Sequence, residues 1–327
     1  MSGAVISDGM PVAQRITLPE RVTASGAREP PLTLSVRETG QGPAVVLCHG
    51  FPELAYSWRH QIPVLVGAGF RVIAPDQRGY GDSDAPEPVE AYDLEHLTDD
   101  LAALLDALGI ERAVFAGHDW GGVVAWGMPV RHPSRVAGVI GVNQPYSSLP
   151  DLDFLRRGVA DDEEFYALWF QQSGVAEAEL DRHPRLVFEK TMRRGAPPRG
   201  GMLGNPYRGL ETREPIGPPL LTEAETDVYT RAFAAQGFRG SLNWYRNMDR
   251  NLRMFPDFGM RRLDVPCLMI TAEWDSALPP DLAAGMPAVC PDLETHMIGR
   301  CGHSTAQDRH AELNALMTDW LTCRFLR

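Results

Sequence analysis

The sequence is poor in lysine and has no excess of positive charge. Lys190 is the single lysine among 31 basic residues, and 43 acidic residues give the 327-residue chain a formal net charge of −12. A protein of this charge lacks an electrostatic surface for phosphate backbones, so we expect no nucleic-acid partner. No run of about 18 apolar residues is present, which predicts no membrane span. Met1–Gln14 show no signal-peptide pattern, and we expect a cytoplasmic protein.

The sequence also lacks paired cysteines. Its five cysteines are an odd number with no Cys-x-x-Cys pair, which argues against a disulfide framework and against a structural zinc site. We therefore expect neither a metal nor another cofactor. The composition, with 44% hydrophobic and 23% charged residues, is that of an ordinary globular protein of about two domains.

Short apolar runs recur along the chain and predict a parallel sheet. Strands without a polar face occur where helices cover both faces of a sheet. The runs are Ala44–Cys48, Arg71–Ala74, Ala113–Ala116, Val136–Val142, Cys267–Ile270 and His296–Ile298. The alternating segment Leu32–Val36 predicts an antiparallel strand. Helical patterns at about 94–108, 122–131 and 311–323 complete a doubly wound α/β sheet.

A long insertion interrupts this alternation. Residues 144–256 show no convincing strand pattern, and a glycine- and proline-rich loop at 195–219 separates two helical patterns. The first covers 180–193, and the second begins at the capping box Thr222-x-x-Glu225. The predicted domains are a helical lid, residues 144–256, and a core, residues 1–143 and 257–327, with 1–14 as a candidate flexible segment.

The most informative motif is Gly117-His-Asp-Trp-Gly121, between a predicted strand and a predicted helix. Its glycines permit the sharp turn of a nucleophile elbow, which exposes Asp119 at the sheet edge where α/β proteins bind ligands. An aspartate there is already ionised, and it suits attack on a saturated carbon to form an ester. On this motif alone, an aspartate that caps the helix is an equally good interpretation.

The segment His49-Gly-Phe-Pro-Glu53 follows the first buried strand. In an elbow architecture, the loop after that strand supplies one backbone N–H to an oxyanion hole, here from Phe51. The second N–H comes from Trp120 at the helix start. The pairing of this segment with the elbow favours a catalytic site over an ordinary turn.

A hydrolytic base is expected late in the chain. In α/β sheets with a nucleophile elbow, the nucleophile, the acid and the histidine follow one another in that order along the chain. His303 lies in a loop between the last apolar run and the final helix, and it fits the role. Three other histidines fit less well. His296 lies in a strand pattern and is expected in the core, His310 begins a helix at the surface, and His118 would point away from the elbow.

The acid that orients the histidine is expected at the end of an earlier strand. Asp275, in Thr271-Ala-Glu-Trp-Asp275, fits this position, with an ordinary turn aspartate as the alternative. Glu273 is a rival that lies nearer the strand. Asn143 follows another strand but carries no charge.

These motifs together resemble the soluble epoxide hydrolases of the α/β-hydrolase superfamily. The resemblance runs from about Pro31 to Leu321. It rests on His49–Glu53, Trp58-Arg59, Asp76–Ser83, Gly117–Gly121 and Cys301–His303, and on the insertion segments Phe165–Gln171, Gly174–Leu180 and Gly237–Asn247. The resemblance implies a mostly parallel eight-stranded sheet with helices on both faces and an inserted helical lid.

The resemblance also implies two ring-opening tyrosines, Tyr166 and Tyr245. Opening an epoxide leaves a basic alkoxide, and two phenol O–H groups can polarise and protonate its oxygen. Position alone would not select this pair from the five tyrosines of the insertion, which also include Tyr146, Tyr207 and Tyr229.

The implied reaction converts an epoxide and water into a vicinal diol. Asp119 forms the ester, Phe51 and Trp120 hold its carbonyl oxygen, and His303 with Asp275 activates the water. The residues expected to contact the substrate are His49, Pro52, Trp120 and Trp169. The oligomeric state is left open between a monomer and a homodimer.

Two other interpretations stay open. A dehalogenase would use the same nucleophile, but haloalkane dehalogenases usually carry asparagine at the position of Phe51, and fluoroacetate-type enzymes tend to carry arginine at the position of Trp120. A catalytically inactive small-molecule binder is the second alternative. The intact set Asp119, Asp275 and His303 argues against it.

Overall fold

The computed structural model describes residues 10–22, 26, 28–195 and 204–326. These residues form ten strands: β1 Ala13–Leu18, β2 Arg21–Val22, β3 Arg28–Glu29, β4 Leu32–Thr39, β5 Ala44–Cys48, β6 Arg71–Asp76, β7 Ala113–His118, β8 Val136–Val142, β9 Cys267–Ala272 and β10 Leu293–Ile298. The same residues form thirteen α-helices: α1 Ile62–Gly67, α2 Leu94–Ala107, α3 Trp120–Arg131, α4 Leu152–Arg156, α5 Tyr166–Trp169, α6 Val175–Leu180, α7 Pro184–Thr191, α8 Glu223–Gln236, α9 Arg239–Arg246, α10 Met248–Met254, α11 Met286–Val289, α12 Thr305–Asp308 and α13 His310–Phe325. None of the helices described is long and apolar enough to cross a membrane.

Eight strands form one sheet in the order β1-β4-β6-β5-β7-β8-β9-β10, and β2 pairs only with β3. Strand β4 is antiparallel to both of its neighbours, and the other neighbouring pairs in the sheet are parallel. The predicted mostly parallel eight-stranded sheet is therefore confirmed. The strand order changes direction around β5, which is followed in the chain by β6 on one side and by β7 on the other. Such a switch point opens a crevice at the carboxyl ends of the strands.

The central strands β5, β7 and β9 are fully buried. Helix α3 packs on β5, β7 and β8, while α1 packs on β6 and contacts α13. This cover explains why these strands are apolar on both faces. The apolar runs in the sequence predicted the boundaries of β5, β6, β7, β8, β9 and β10 to within three residues. The predicted boundaries of β5 and β8 are those of the structure.

Two predictions near the chain's first strand and in the insertion are wrong. Residues 13–14, placed in a candidate flexible segment, belong to β1, which pairs with β4. Residues 1–9 of that segment lie outside the described residues. The helix predicted over 180–193 corresponds to α7, Pro184–Thr191, and its predicted start is wrong, because Leu180 is the last residue of α6. Proline is favoured at the first position of a helix, where a missing N–H costs nothing.

The insertion is helical where the structure describes it. Helices α4 to α10 lie between β8 and β9, and residues 144–195 and 204–256 contribute no strand beyond one bridge between Arg193 and Pro219. Residues 204–219 form turns, and residues 196–203 of the predicted loop lie outside the described part of the chain. The predicted capping box is present, since Thr222 Oγ1 accepts from the Glu225 N–H and Glu225 Oε2 accepts from the Thr222 N–H. The domain boundaries stay a prediction.

Candidate active site

The turn between β7 and α3 holds Asp119 in a strained conformation. Its φ of 52° and ψ of −126° lie in a region that L-residues rarely adopt and that functional sites often contain. The glycines make this turn possible, because a Cβ on Gly117 would collide with the backbone of Gly121, and one on Gly121 with the backbone of Cys48. The tight turn leaves the Asp119 carboxylate at the carboxyl edge of the sheet.

The loop after β5 approaches this carboxylate from the side. Phe51 donates its backbone N–H to Asp119 Oδ1 at 2.8 Å. Gly50 permits the approach, because a Cβ there would lie 2.5 Å from the Asp119 Cβ. Trp120 is the first residue of α3, so its backbone N–H belongs to the positive end of the helix.

His303 and Asp275 complete the line of residues that begins at Asp119. His303 Nε2 lies 3.5 Å from Asp119 Oδ2, and His303 Nδ1 lies 2.9 Å from Asp275 Oδ2. The loops after β9 and β10 bring them together at the sheet edge. The structure thus brings the three predicted residues into contact in the expected order.

The Asp275 carboxylate is fully buried and receives several hydrogen bonds. Its Oδ1 accepts from the backbone N–H groups of Ala277 and Leu278, and its Oδ2 accepts from Asn143 Nδ2 at 2.7 Å. Burial opposes ionisation, but the His303 charge and these donors outweigh it and lower the pKa of Asp275. Asn143, set aside as an acid because it has no charge, is therefore a donor that orients Asp275.

Burial by itself lowers the pKa of His303. The charges of Asp275 and Asp119 and their hydrogen bonds outweigh burial, and the pKa of His303 lies well above its usual range. The two carboxylates therefore favour the imidazolium form of His303. Any event that neutralises Asp119 removes part of this effect and favours a neutral imidazole.

The residues that the sequence offered as alternatives to Asp275 and His303 make other contacts. Glu273 accepts from the Arg300 N–H. His296 was predicted in the core, and this is wrong, because its half-exposed side chain pairs with Glu294. His310 is exposed and stacks on His60.

His118 has a structural connection that the sequence analysis missed. Its Nδ1 lies 2.9 Å from Glu53 Oε2, and its Nε2 lies 2.7 Å from the carbonyl oxygen of His303. Glu53 Oε2 also accepts from the Gly50 N–H. The pair Glu53 and His118 therefore ties together the loop after β5, the elbow and the His303 loop.

Tyr166 and Tyr245 line the same space as Asp119. Tyr166 begins α5 and Tyr245 lies in α9, and their ring centroids are 5.8 Å apart. The Tyr245 ring also packs edge-on against Trp120 and Phe51, at 5.1 and 5.2 Å. Burial, followed by the nearby Asp119 charge, raises the pKa of both phenols. Both tyrosines are therefore protonated hydrogen-bond donors at neutral pH.

The two tyrosine segments support each other. Gln171 Nε2 donates to the carbonyl oxygen of Tyr245, and Arg246 forms a two-bond ion pair with Glu177 of α6. Two-bond arginine–carboxylate pairs define an orientation as well as a contact. The Gln171 hydrogen bond and the ion pair of Arg246 with Glu177 explain how the short helices α5 and α9 hold the two tyrosines at defined positions.

The other tyrosines of the insertion differ. Tyr207 lies in the site, with its ring 5.4 Å from Phe51 and 5.7 Å from Tyr166, and no sequence signal singled it out. Tyr146 packs against Trp126. The Tyr229 hydroxyl is buried against Ser57.

Two cavities of about 400 and 320 Å³ meet at Asp119, Tyr166 and Tyr245. These volumes are in the range of small-molecule sites. The larger cavity is mostly apolar, with Trp120 and Val123 among its lining. The smaller one is also lined by Phe51, Tyr207 and His303, and by the cations Lys190, Arg193 and Arg213.

Of the four predicted substrate contacts, all within the described residues, Trp120 alone lines either cavity. His49 is fully buried, and its Nε2 accepts from the Gln77 N–H, so it supports the loop after β6 instead. Pro52 is buried within the loop after β5 and lines neither cavity. Trp169 is buried beside Phe170 and lines neither cavity. The three predictions are corrected accordingly.

Comparisons with known proteins agree with this geometry. The family model for the alpha/beta hydrolase fold matches residues 43–308. Bifunctional epoxide hydrolase 2 of Sus scrofa is 42% identical over 299 residues, which cover 90% of this chain and 54% of that protein. The chain thus spans about half the length of these bifunctional relatives.

Other relatives match over nearly their full length. Epoxide hydrolase A of Mycobacterium tuberculosis is 42% identical over 314 residues, covering 90% of this chain and 95% of that protein. The crystal structure of Epoxide Hydrolase A from Mycobacterium thermoresistibile has a TM-score of 0.80 and 38% identity, covering 94% of this chain and 98% of that one. The chain therefore belongs to the epoxide hydrolases of the alpha/beta hydrolase fold family.

Proposed function

We propose that this chain hydrolyses epoxides to vicinal diols through a covalent ester on Asp119. The observation that carries the proposal is the convergence of a carboxylate, a histidine that it contacts and two protonated tyrosines at the junction of two cavities. The relatives named epoxide hydrolases support the same reaction. We also propose that α4 to α10 form the lid, residues 144–256, since this segment supplies Tyr166 and Tyr245.

In the first step, Asp119 Oδ2 attacks one epoxide carbon and the bond from that carbon to the ring oxygen breaks. Oδ1 is held by the Phe51 N–H, which leaves Oδ2 as the nucleophile. The electron pair of the broken bond goes to the ring oxygen, which takes a proton from Tyr166 or Tyr245. Their raised pKa keeps the proton in place until the alkoxide forms.

In the second step, water attacks the ester carbonyl carbon. Esterification removes the charge of Asp119, one of the two carboxylates that raise the pKa of His303. His303 then loses its proton more easily and acts as a base towards the water. The N–H groups of Phe51 and Trp120 hold the developing oxyanion at Oδ1. The bond from the carboxyl carbon to Oδ2 then breaks, and Oδ2 takes from His303 the proton that His303 removed from the water, which releases the diol. The proton that His303 released earlier restores the tyrosine, and the new carboxylic acid of Asp119 returns a proton to His303.

The test uses the variant His303→Gln with an aryl epoxide. The first step needs no base, so we expect a mass gain equal to the whole epoxide on the peptide that contains Asp119. His303→Gln,Asp119→Asn serves as the matched control and should gain nothing. Steady diol formation by His303→Gln without an adduct would contradict the mechanism. A parallel sample with a chloroalkane tests dehalogenation, which predicts an alkyl adduct from that reagent alone.

A further inference from the structure

The two cavities that meet at Asp119 differ in charge. Lys190, Arg193 and Arg213 all line the smaller cavity, of about 320 Å³. The charged residues that line the larger cavity, among those described, are the acidic pair Asp119 and Asp151. A substrate at the junction therefore has an apolar environment on one side of the nucleophile and a cationic one on the other.

The three cations have no carboxylate within ion-pair distance among the described residues, whereas neighbouring arginines of the insertion do. The paired examples are Arg185 with Glu189 and Asp227, Arg194 with Asp308, Arg208 with Glu163, and Arg246 with Glu177. Glu214 lines the rim of the same cavity and is exposed. Some other arginines of the insertion, such as Arg182 and Arg239, also form no ion pair among the described residues, so the three cations are set apart by lining one cavity together with Asp119.

Two of these cations also contain buried nitrogen atoms without a partner. In the described structure, the Nε atoms of Arg193 and Arg213 are buried and have no hydrogen-bond acceptor. One Nη of Arg213 donates to the carbonyl oxygen of Asn205, which holds the guanidinium in place. Because these Nε atoms are buried, an anion in the cavity would be bound through the terminal guanidinium nitrogens, and charge-assisted hydrogen bonds of this kind are strong.

We propose that Lys190, Arg193 and Arg213 form an anion subsite for the substrate. This inference rests on the proposed epoxide hydrolysis and specifies its substrates as disubstituted epoxides. One substituent is apolar and occupies the larger cavity, and the other is short and carries a carboxylate or a similar anion. The arm is short because the cations and Asp119 line one cavity near the lower end of the size range of ligand sites.

The kinetic test compares two matched substrates. One is an oxirane with a phenyl group on one carbon and a butanoate arm on the other, and the second is its N-methylamide. We expect a kcat/KM about tenfold higher for the carboxylate, as one charge-assisted hydrogen bond can provide. Arg213→Met should lower kcat/KM for the carboxylate about tenfold and so bring the ratio between the two substrates to about one.

Arg194→Met is the control, because it deletes a neighbouring cation that is paired with Asp308 and lies outside the lining of both cavities. It should keep the preference for the carboxylate. Equal kcat/KM values for both substrates in the unaltered enzyme would overturn the anion subsite and leave the proposed hydrolysis intact.

A binding test does not depend on turnover. Lys190 is the single lysine, so reductive methylation with ¹³C-formaldehyde marks this side chain and the α-amino group. In Asp119→Asn, phenylbutanoate should shift the dimethyl-lysine NMR signal, and its N-methylamide should not. No shift would overturn the subsite. A shift of this signal in Asp119→Asn, together with no turnover of any epoxide by the unaltered enzyme, would instead refute the proposed reaction and retain the subsite.

Discussion

The ion pair between Glu53 and His118 leads to a quantitative prediction. Each side chain is only 2% exposed. Because the Glu53 carboxylate and the His303 carbonyl are both acceptors, both ring nitrogens of His118 must donate, and His118 is an imidazolium. Replacing Glu53 with glutamine removes the charge that keeps it protonated. A neutral ring has one N–H, which can serve the His303 carbonyl oxygen, so its charged bond to residue 53 is replaced by a neutral one in which the glutamine amide donates.

The pKa of Glu53 gives the size of the effect. Burial raises this pKa, but the charge of His118 and the hydrogen bonds outweigh it, and the pKa falls from 4.5 to about 2. At about 1.4 kcal/mol per pKa unit, the carboxylate contributes about 3 kcal/mol to folding, which is also the usual cost of breaking a buried pair. Because this pKa is lowered by folding, the contribution is complete above pH 4.5 and is lost as the pH falls towards 2.

The assay is urea unfolding of the unaltered protein and Glu53→Gln from pH 6 down to pH 3. We expect the variant to lose about 3 kcal/mol of unfolding free energy at pH 6, and the difference should shrink below pH 4.5. Glu273→Gln is the matched control, since Glu273 is exposed and also accepts a backbone N–H. Its loss should be about 0.5 kcal/mol or less. A loss for Glu53→Gln below about 1 kcal/mol, or one independent of pH, would refute the reasoning.

Three further predictions concern the site. Tyr166→Phe and Tyr245→Phe should each slow ester formation about tenfold, and the double variant about a hundredfold or more, in single-turnover experiments; an unchanged rate in the double variant would remove the tyrosines from the mechanism. Gly121→Ala should prevent stable folding or lower the melting temperature strongly, because its Cβ meets backbone, and a normal melting curve would contradict this. Asn143→Ala removes a donor to the ionised carboxylate and should raise the pKa of Asp275 in a carboxyl ¹³C NMR titration, whereas an unshifted pKa would leave Asn143 without this role.

Patterns within single segments of the sequence, such as unbroken apolar runs, predicted much of the fold. The bounds of β5 and β8 were correct because buried strands are apolar without interruption. The predicted start of the helix over 180–193 was wrong because the apolar pattern continues from the end of α6, and only the ring of Pro184 marks the start of α7. Periodicity shows where a chain has an apolar face, but not whether that face belongs to one element.

The prediction of substrate contacts failed for a related reason. His49 and Trp169 occupy motifs close to the site, but the direction of a side chain depends on the loop that receives it. His49 turns towards Gln77, which is close in space and distant in the chain. Proximity in sequence to Phe51 therefore predicted a contact that the packing does not provide.

The sequence by itself determined the elbow at Asp119 and the chain order of nucleophile, acid and histidine, because glycine placement and the ends of buried strands are local properties. Only the tertiary structure decided which distant side chains meet there. Asn143 reaches Asp275 across 132 residues, and His118 reaches His303 across 185. Such contacts depend on how strands and loops pack at one edge of the sheet, and no spacing within a single segment encodes them.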